Sequence, residues 1–417
     1  MTRASRPLPA APADAGAIGD HGAGFRTRGQ PAALAAVRSM LSAGMPHALL
    51  LAGPAGVGKG TLADDIAAAL LCLAPAAVDR PDRACRACRA VDHGNHPDVH
   101  RLDPTGAGAV IPIGGPGREE RGVRNLVREL ALLPVEGGAR VAIVTAADRM
   151  TEDAQAAFLK TLEEPPVGTV LVLTATDEER LLDTIRSRCV RIRLGPVPRR
   201  EIEALLVEAG LADPPVAARL ARLSGGRPGD AVALARAPAS LVIRGEVART
   251  LLDLTAATRA DRLRVGRDLL ARSAEMIAAL RLAETMDRGG RTARGRGRPG
   301  IAAAPAEPGA ADPSSEPEAG QPGGAAVRVP AAERRAAALA LVAIWRDVVR
   351  DLALVGMGES GDVRQVELLD DLEAAATRLP AGFAPAQLRR LDVAGERLEG
   401  NVSPELVVDD LALGWAA

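Results

Sequence analysis

The chain has 417 residues and balances 52 basic residues against 53 acidic ones, so no global field draws it to nucleic acid and any DNA contact has to be local. The length allows two or three domains. No apolar run approaches the ~20 residues that cross a bilayer and no signal-peptide core opens the chain, so a cytoplasmic protein with no membrane partner is expected.

In that compartment four cysteines mean metal or reduced thiols rather than disulfides. Tyrosine is absent and phenylalanine occurs only at Phe25, Phe158 and Phe383, which gives poor support to a single-strand binder that stacks bases on aromatic rings.

Residues 1–24 are rich in Ala, Pro and Gly without periodicity, the composition of a disordered tail. From 25 to about 195, helical patterns alternate with short apolar runs, as in a parallel sheet covered on both faces. Strands are expected at 47–51, 99–102, 141–145, 170–174 and 190–194. Helices are expected at 58–73, 119–133 and 152–164, the last stopped by Pro165 and Pro166. Residues 196–240 turn into short helices broken by Gly and Pro, a small helical lid. Helix resumes over 241–287, and 288–330 is then Gly, Pro, Ala and Arg with too little apolar surface to fold. Helical patterns return around Trp345 and run on, so an all-helical domain over 241–417 is expected, split by a disordered insert at 288–330.

The run Gly53-Pro54-Ala55-Gly56-Val57-Gly58-Lys59-Gly60-Thr61 lies between the first strand and the helix after it. Glycines there let backbone N–H groups face a phosphate, the helix N-terminus favours negative charge, and Lys59 reaches outer phosphates. Arginine has displaced lysine nearly everywhere, leaving only Lys59 and Lys160; a compact point charge survives where phosphate contact wants one. Gly60 stands where the motif needs Ser or Thr for magnesium, and Thr61 points elsewhere on the helix. At the end of the strand at 141–145, Thr145 and Ala146 occupy the places of an Asp-Glu pair that would hold metal and position water. Asp148 reads as a solvated turn residue. Binding of ATP or ADP is left open, and magnesium-dependent hydrolysis is not expected. Ser187-Arg188-Cys189 offers an arginine suited to another subunit's nucleotide, with pairing to an acid on its own domain as the alternative. Cys189 reads as a small buried residue.

Taken in order, His47-Ala48-Leu49, the phosphate loop, Cys85-Arg86-Ala87-Cys88 with His96-Pro97-Asp98, Leu159-Lys160-Thr161-Leu162-Glu163-Glu164-Pro165-Pro166 and Thr184-Ile185-Arg186-Ser187-Arg188-Cys189 resemble the bacterial clamp-loader subunits of DNA polymerase III. The resemblance covers 25 to about 237 and returns weakly at 398–411. It implies an α/β AAA+ P-loop domain with a parallel sheet, a small helical lid and a C-terminal all-helical collar. It also implies a place in a ring with gamma/tau and delta subunits that sets a sliding clamp on primer-template DNA, and so membership of a polymerase holoenzyme.

Within that family the motors keep the acidic pair and a lid arginine. Here Ser224-Gly225-Gly226-Arg227-Pro228-Gly229-Asp230-Ala231 puts Gly229 at that arginine's place, with Arg227 out of register. The pattern resembles the non-hydrolysing stator branch, for which Arg188 acts as an arginine finger in trans. The resemblance further implies a zinc module at 72–98, with Cys72, Cys85 and Cys88 matching three ligand positions and Asp82 standing at the fourth. An Asp oxygen can close a tetrahedral site. His93 is the alternative fourth ligand, and His96 is read as structural. Two other readings stay open: a gamma/tau-like motor, opposed by Gly60, Thr145 and Ala146, and an independent AAA+ regulator that binds DNA through the basic run at 288–298.

Overall fold

The structure is a computed structural model that describes residues 24–105, 109–115, 121–136, 138–294, 330–380 and 382–415, without the side chains of 284 and 286–294. The expected tail, apart from Gly24, lies outside the described residues. Five parallel strands, Ala48–Ala52 (β1), Val99–Leu102 (β2), Arg140–Val144 (β3), Thr169–Ala175 (β4) and Val190–Arg193 (β5), form one sheet in the order β2-β3-β4-β1-β5. Every residue of β1, β3 and β4 is buried, because helices cover both faces and leave no side for polar alternation.

Side chains of each strand alternate between the two covers. Leu49, Leu51, Val141, Ile143 and Val172 pack with Pro31–Ala43 (α1), Lys59–Leu71 (α2) and Arg86–Asp92 (α3). Leu50, Ala142, Val144, Leu171 and Leu173 pack with Val123–Leu130 (α4), Glu152–Glu163 (α5) and Asp183–Arg186 (α6). Helix α5 starts where the Thr151 hydroxyl accepts the Ala154 N–H at 3.3 Å, and Glu152 and Asp153 fill its first turn. Helix α4 is shorter than the expected 119–133. It stops at Leu130 because the buried Arg140 guanidinium donates to the Leu130 and Leu132 carbonyls and caps its C-terminus.

Three short helices follow, Arg199–Glu208 (α7), Pro214–Ser224 (α8) and Pro228–Arg236 (α9), closed around Ile202, Leu206, Leu220 and Ala231. The remainder is helical: Pro238–Asp253 (α10), Arg259–Arg294 (α11), Ala331–Gly356 (α12), Leu369–Ala376 (α13), Phe383–Glu399 (α14) and Pro404–Leu413 (α15). Its core centres on Trp415, which meets Trp345 at 5.3 Å and Phe383 at 5.2 Å edge-on and donates its indole N–H to Leu251 O at 2.9 Å. Helix α11 continues through Arg294, beyond the expected start of the insert at 288. Residues 295–329 lie outside the described residues. Arg149 and Arg180, at the carboxyl ends of β3 and β4, both reach Glu399 of α14 at 3.0 and 2.8 Å and join sheet to helices.

Candidate functional site

The carboxyl ends of β1, β3 and β4 open into a cleft of about 500 Å³, the place where open α/β sheets take ligands. Gly53, Gly56 and Gly58 hold φ of 152°, 78° and 103°, so the loop after β1 needs glycine to aim its backbone inward. Lys59 opens α2, and its ammonium donates to Gly53 O at 2.5 Å, Pro54 O at 2.7 Å and the Thr176 hydroxyl at 3.3 Å. Burial lowers its pKa, and the Asp148 carboxylate pulls the other way. A Cβ on Gly60 would meet nothing within 4 Å. The shape would therefore admit the missing hydroxyl; the residue does not supply it.

Thr145 and Ala146 line the cleft, and no Asp or Glu is among its described lining residues. Asp148 departs from the expectation of a solvated turn residue. It is 8% exposed, and one carboxylate oxygen accepts the N–H groups of Thr176 and Asp177 at 3.2 and 3.1 Å. The reason is tertiary: the chain turns at Ala146, φ 50°, and drops Asp148 under the loop after β4.

The lid closes directly on the phosphate loop. The Gly229 N–H donates to Gly56 O at 3.0 Å, and a Cβ on Gly229 would stand 3.4 Å from the Gly56 backbone. Arg227 is held by its own lid segment, its Nε donating to Ser224 O and pairing with Asp230 at 2.9 Å. Arg188 lies just before β5 at the sheet edge. Its guanidinium donates to Thr184 O at 2.9 Å and pairs with Glu163 at the end of α5 at 2.6 Å, the two side chains remaining 35% and 49% exposed. Cys189 beside it is buried, which pushes its thiol up to about 11.

At the other end of α2, Cys72, Asp82, Cys85 and Cys88 bring one ligand atom each within 4.8 Å of one another. The Cys72 and Cys85 sulfurs are 4.0 Å apart, close to the ~3.8 Å edge of a tetrahedron around zinc with bonds of about 2.3 Å. Backbone N–H groups of Asp82 and Ala74 point at Cys72 Sγ at 3.4 and 3.5 Å, and Cys88 N–H at Cys85 Sγ at 3.4 Å. Asp82 Oδ1 accepts the Ala84 and Cys85 N–H groups at 3.0 Å, and the Cys85 N–H leads in holding that carboxyl below the usual range. Burial drives the Cys88 thiol up; at Cys85 the burial effect is outweighed by N–H donors from Leu73 and Cys88, and its value falls. These donors fit a structural metal. His93 is outside the group, its Nδ1 lying 2.5 Å from Arg89 O. His96 is buried and accepts the Asp98 N–H at 3.2 Å, a structural contact.

Sequence reasoning missed Asp65, wholly buried in α2. It accepts the Arg26 and Thr27 N–H groups and the Thr27 hydroxyl at 2.7 Å, and pairs with Arg83 of the cysteine segment. Burial raises its pKa against those hydrogen bonds and Arg83. An acid within the apolar run from Leu62 to Leu71 was the available signal. Thr176, which touches Lys59, gave none.

Sheet order, loop and lid define an AAA+ P-loop domain followed by a helical region. Residues 29–198 match the family model described as DNA polymerase III, delta subunit. The chain is 40% identical over 184 residues to DNA polymerase III subunit delta' of Pseudomonas aeruginosa, covering 44% of this chain and 53% of the relative. It is 33% identical over 192 residues to subunit delta' of Bacillus subtilis, covering 46% and 54%. Subunit tau of Escherichia coli matches at 31% over 212 residues, 49% of this chain and 31% of that one. The resemblance to the delta prime subunit of the bacterial clamp loader is thus shown over the AAA+ part, and the chain spans about half the length of the delta' relatives it matches. Among the described residues no helix is long and apolar enough to cross a membrane.

Proposed function

We propose that the chain is a non-hydrolysing stator of a DNA polymerase III clamp loader, a delta prime subunit that presents Arg188 to the nucleotide of a neighbouring gamma/tau subunit. The observation that carries this reading is a cleft with its phosphate loop kept and no carboxylate among its described lining residues, while one oxygen of Asp148 accepts from the Thr176 and Asp177 backbone. Phosphoryl transfer needs metal ions and a group that positions water, and no described residue of the cleft lining supplies a carboxylate for either. Arg188 suits a role in trans because its pair with Glu163 is half-exposed. Such a pair is worth on the order of 0–1 kcal/mol, little enough for a phosphate to replace it.

Cys72, Asp82, Cys85 and Cys88 would hold zinc as a closed structural site that cross-links the segment after α2. Gamma/tau and delta are the proposed direct partners in the cytoplasm, with the sliding clamp and primed DNA reached through the complex. The reading as a motor is disfavoured by Gly60, Thr145 and Ala146. The reading as an independent DNA-binding regulator rests on residues 288–298, of which 288–294 are helical and 295–298 lie outside the described residues.

Reconstitution with purified clamp, delta and gamma/tau tests this. The chain is expected to enter the complex and to show no ATPase of its own. Arg188→Ala should leave assembly intact and lower DNA-stimulated ATPase and clamp loading. A finger is worth roughly 10³ at the site it serves, but the other sites continue, so the bulk loss is partial. Arg188→Lys should rescue poorly, since a point charge does not replace a planar fork. Exclusion from every complex, or unchanged ATPase in an assembled Arg188→Ala complex, sinks the assignment.

A further inference from the structure

Where lid and helical region meet, the surface forms a recess of about 300 Å³ that shares no lining residue with the cleft or the cysteine cluster. Arg199 of α7, Arg222 of α8, Arg350 of α12 and Arg364 of the following loop line it. Its floor is Gly225 and Gly226, with φ of 59° and 86°. A Cβ on Gly225 would stand 2.3 Å from Arg364 Nη2, and one on Gly226 2.6 Å from Pro196 Cβ. Glycine takes these left-handed turns without strain and, lacking a Cβ, lets Arg364 and Pro196 close in.

The charges there do not balance. Asp347 is shared by Arg244 and Arg364. Asp351 pairs with Arg350 at 3.0 Å, and Asp362 approaches Arg199 only at 3.8 Å. Arg222 donates to two carbonyls, Gly361 O at 3.3 Å and Val363 O at 3.4 Å. Among the described lining residues four guanidinium groups thus face one carboxylate, Asp362, with Asp351 and the shared Asp347 set behind Arg350 and Arg364, which leaves positive charge in excess in a recess that water screens less well than open surface. Guanidinium forks match the oxygens of a phosphate and hold them with charge-assisted hydrogen bonds.

We propose that this recess binds a phosphate-class oxyanion, held by Arg199, Arg222 and Arg350, with Arg364 as its wall. The arginines come from the lid and the helical region, so a bound anion would draw the two together. Free phosphate and pyrophosphate share the chemistry, and titrating each separates them.

The test is the melting temperature of the full chain against inorganic phosphate, and in parallel pyrophosphate, at constant ionic strength with chloride as control, backed by calorimetric titration. A Lys59→Ala variant removes the lysine of the phosphate loop and should keep the phosphate-dependent rise, which follows from ligand binding to the folded state. Arg199→Gln with Arg350→Gln leaves the Arg222 contacts in place and should weaken phosphate at least about tenfold, the order expected for lost charge-assisted bonds. If the double variant does not fold, Arg199→Gln alone makes the same comparison from the more exposed side. Loss of the rise in Lys59→Ala, an equal rise in the arginine variants, or no rise beyond the chloride control overturns the proposal. None of these outcomes bears on Arg188 or on entry into a loader.

Discussion

Helix α2 joins two sites that have gone opposite ways. At its N-terminus the backbone of a phosphate site is intact: Gly53, Gly56 and Gly58 keep their left-handed turns and Lys59 its position. What differs is the side chains around it, for Gly60 and Ala146 bring no side-chain oxygen and Thr145 brings a hydroxyl rather than a carboxylate. At its C-terminus the donors are complete, with three thiols and one carboxylate converging on one point, although Asp82 replaces the sulfur expected there. The comparison teaches that backbone shape and donor set are separable within one helix.

The largest effect should come from the cysteine end. Cys88→Ser should lower bound metal from about one zinc per chain towards none and cost several kcal/mol, since structural zinc contributes on the order of 10 kcal/mol in isolated peptides and part of that is retained when the module is packed on a domain. Metal analysis of protein purified without chelator, together with denaturant unfolding, reads both. A zinc-free protein of unchanged stability would reduce the cluster to a hydrogen-bonded turn.

Asp65 stands between the two ends and should rank next. Asp65→Ala leaves the Arg26 and Thr27 N–H groups and the Arg83 guanidinium without their acceptor, a loss of about 3–5 kcal/mol for a broken buried pair. Chemical denaturation should show it as a lower midpoint. A change below about 1 kcal/mol would mean that the cysteine segment and α2 hold together by other contacts.

The smallest effect belongs to Lys59. Its bonds run to the carbonyls of its own loop and to Thr176, so Lys59→Ala should alter stability by no more than about 1 kcal/mol and leave the isolated chain's background ATPase unchanged. Turnover that disappears in this variant would show that the N-terminal end still performs chemistry, and the contrast between the ends of α2 would collapse.

The sequence by itself carried the alternating pattern, because buried parallel strands are continuous apolar runs and α5 announces its limits through Thr151, Glu152 and two prolines. It also carried the loop, the arginine before Cys189 and the cysteine spacing, all encoded in neighbouring residues. Tertiary structure alone decided matters that depend on distant partners. It brought Asp82 rather than His93 to the thiols, buried Asp148 beneath the loop after β4, and ended α4 with Arg140 from the next strand. It also set the Gly229 N–H on Gly56 O. Periodicity reports which face of an element is apolar; it does not report which buried polar group meets which. That pairing is fixed only when desolvated donors and acceptors must find one another across the fold.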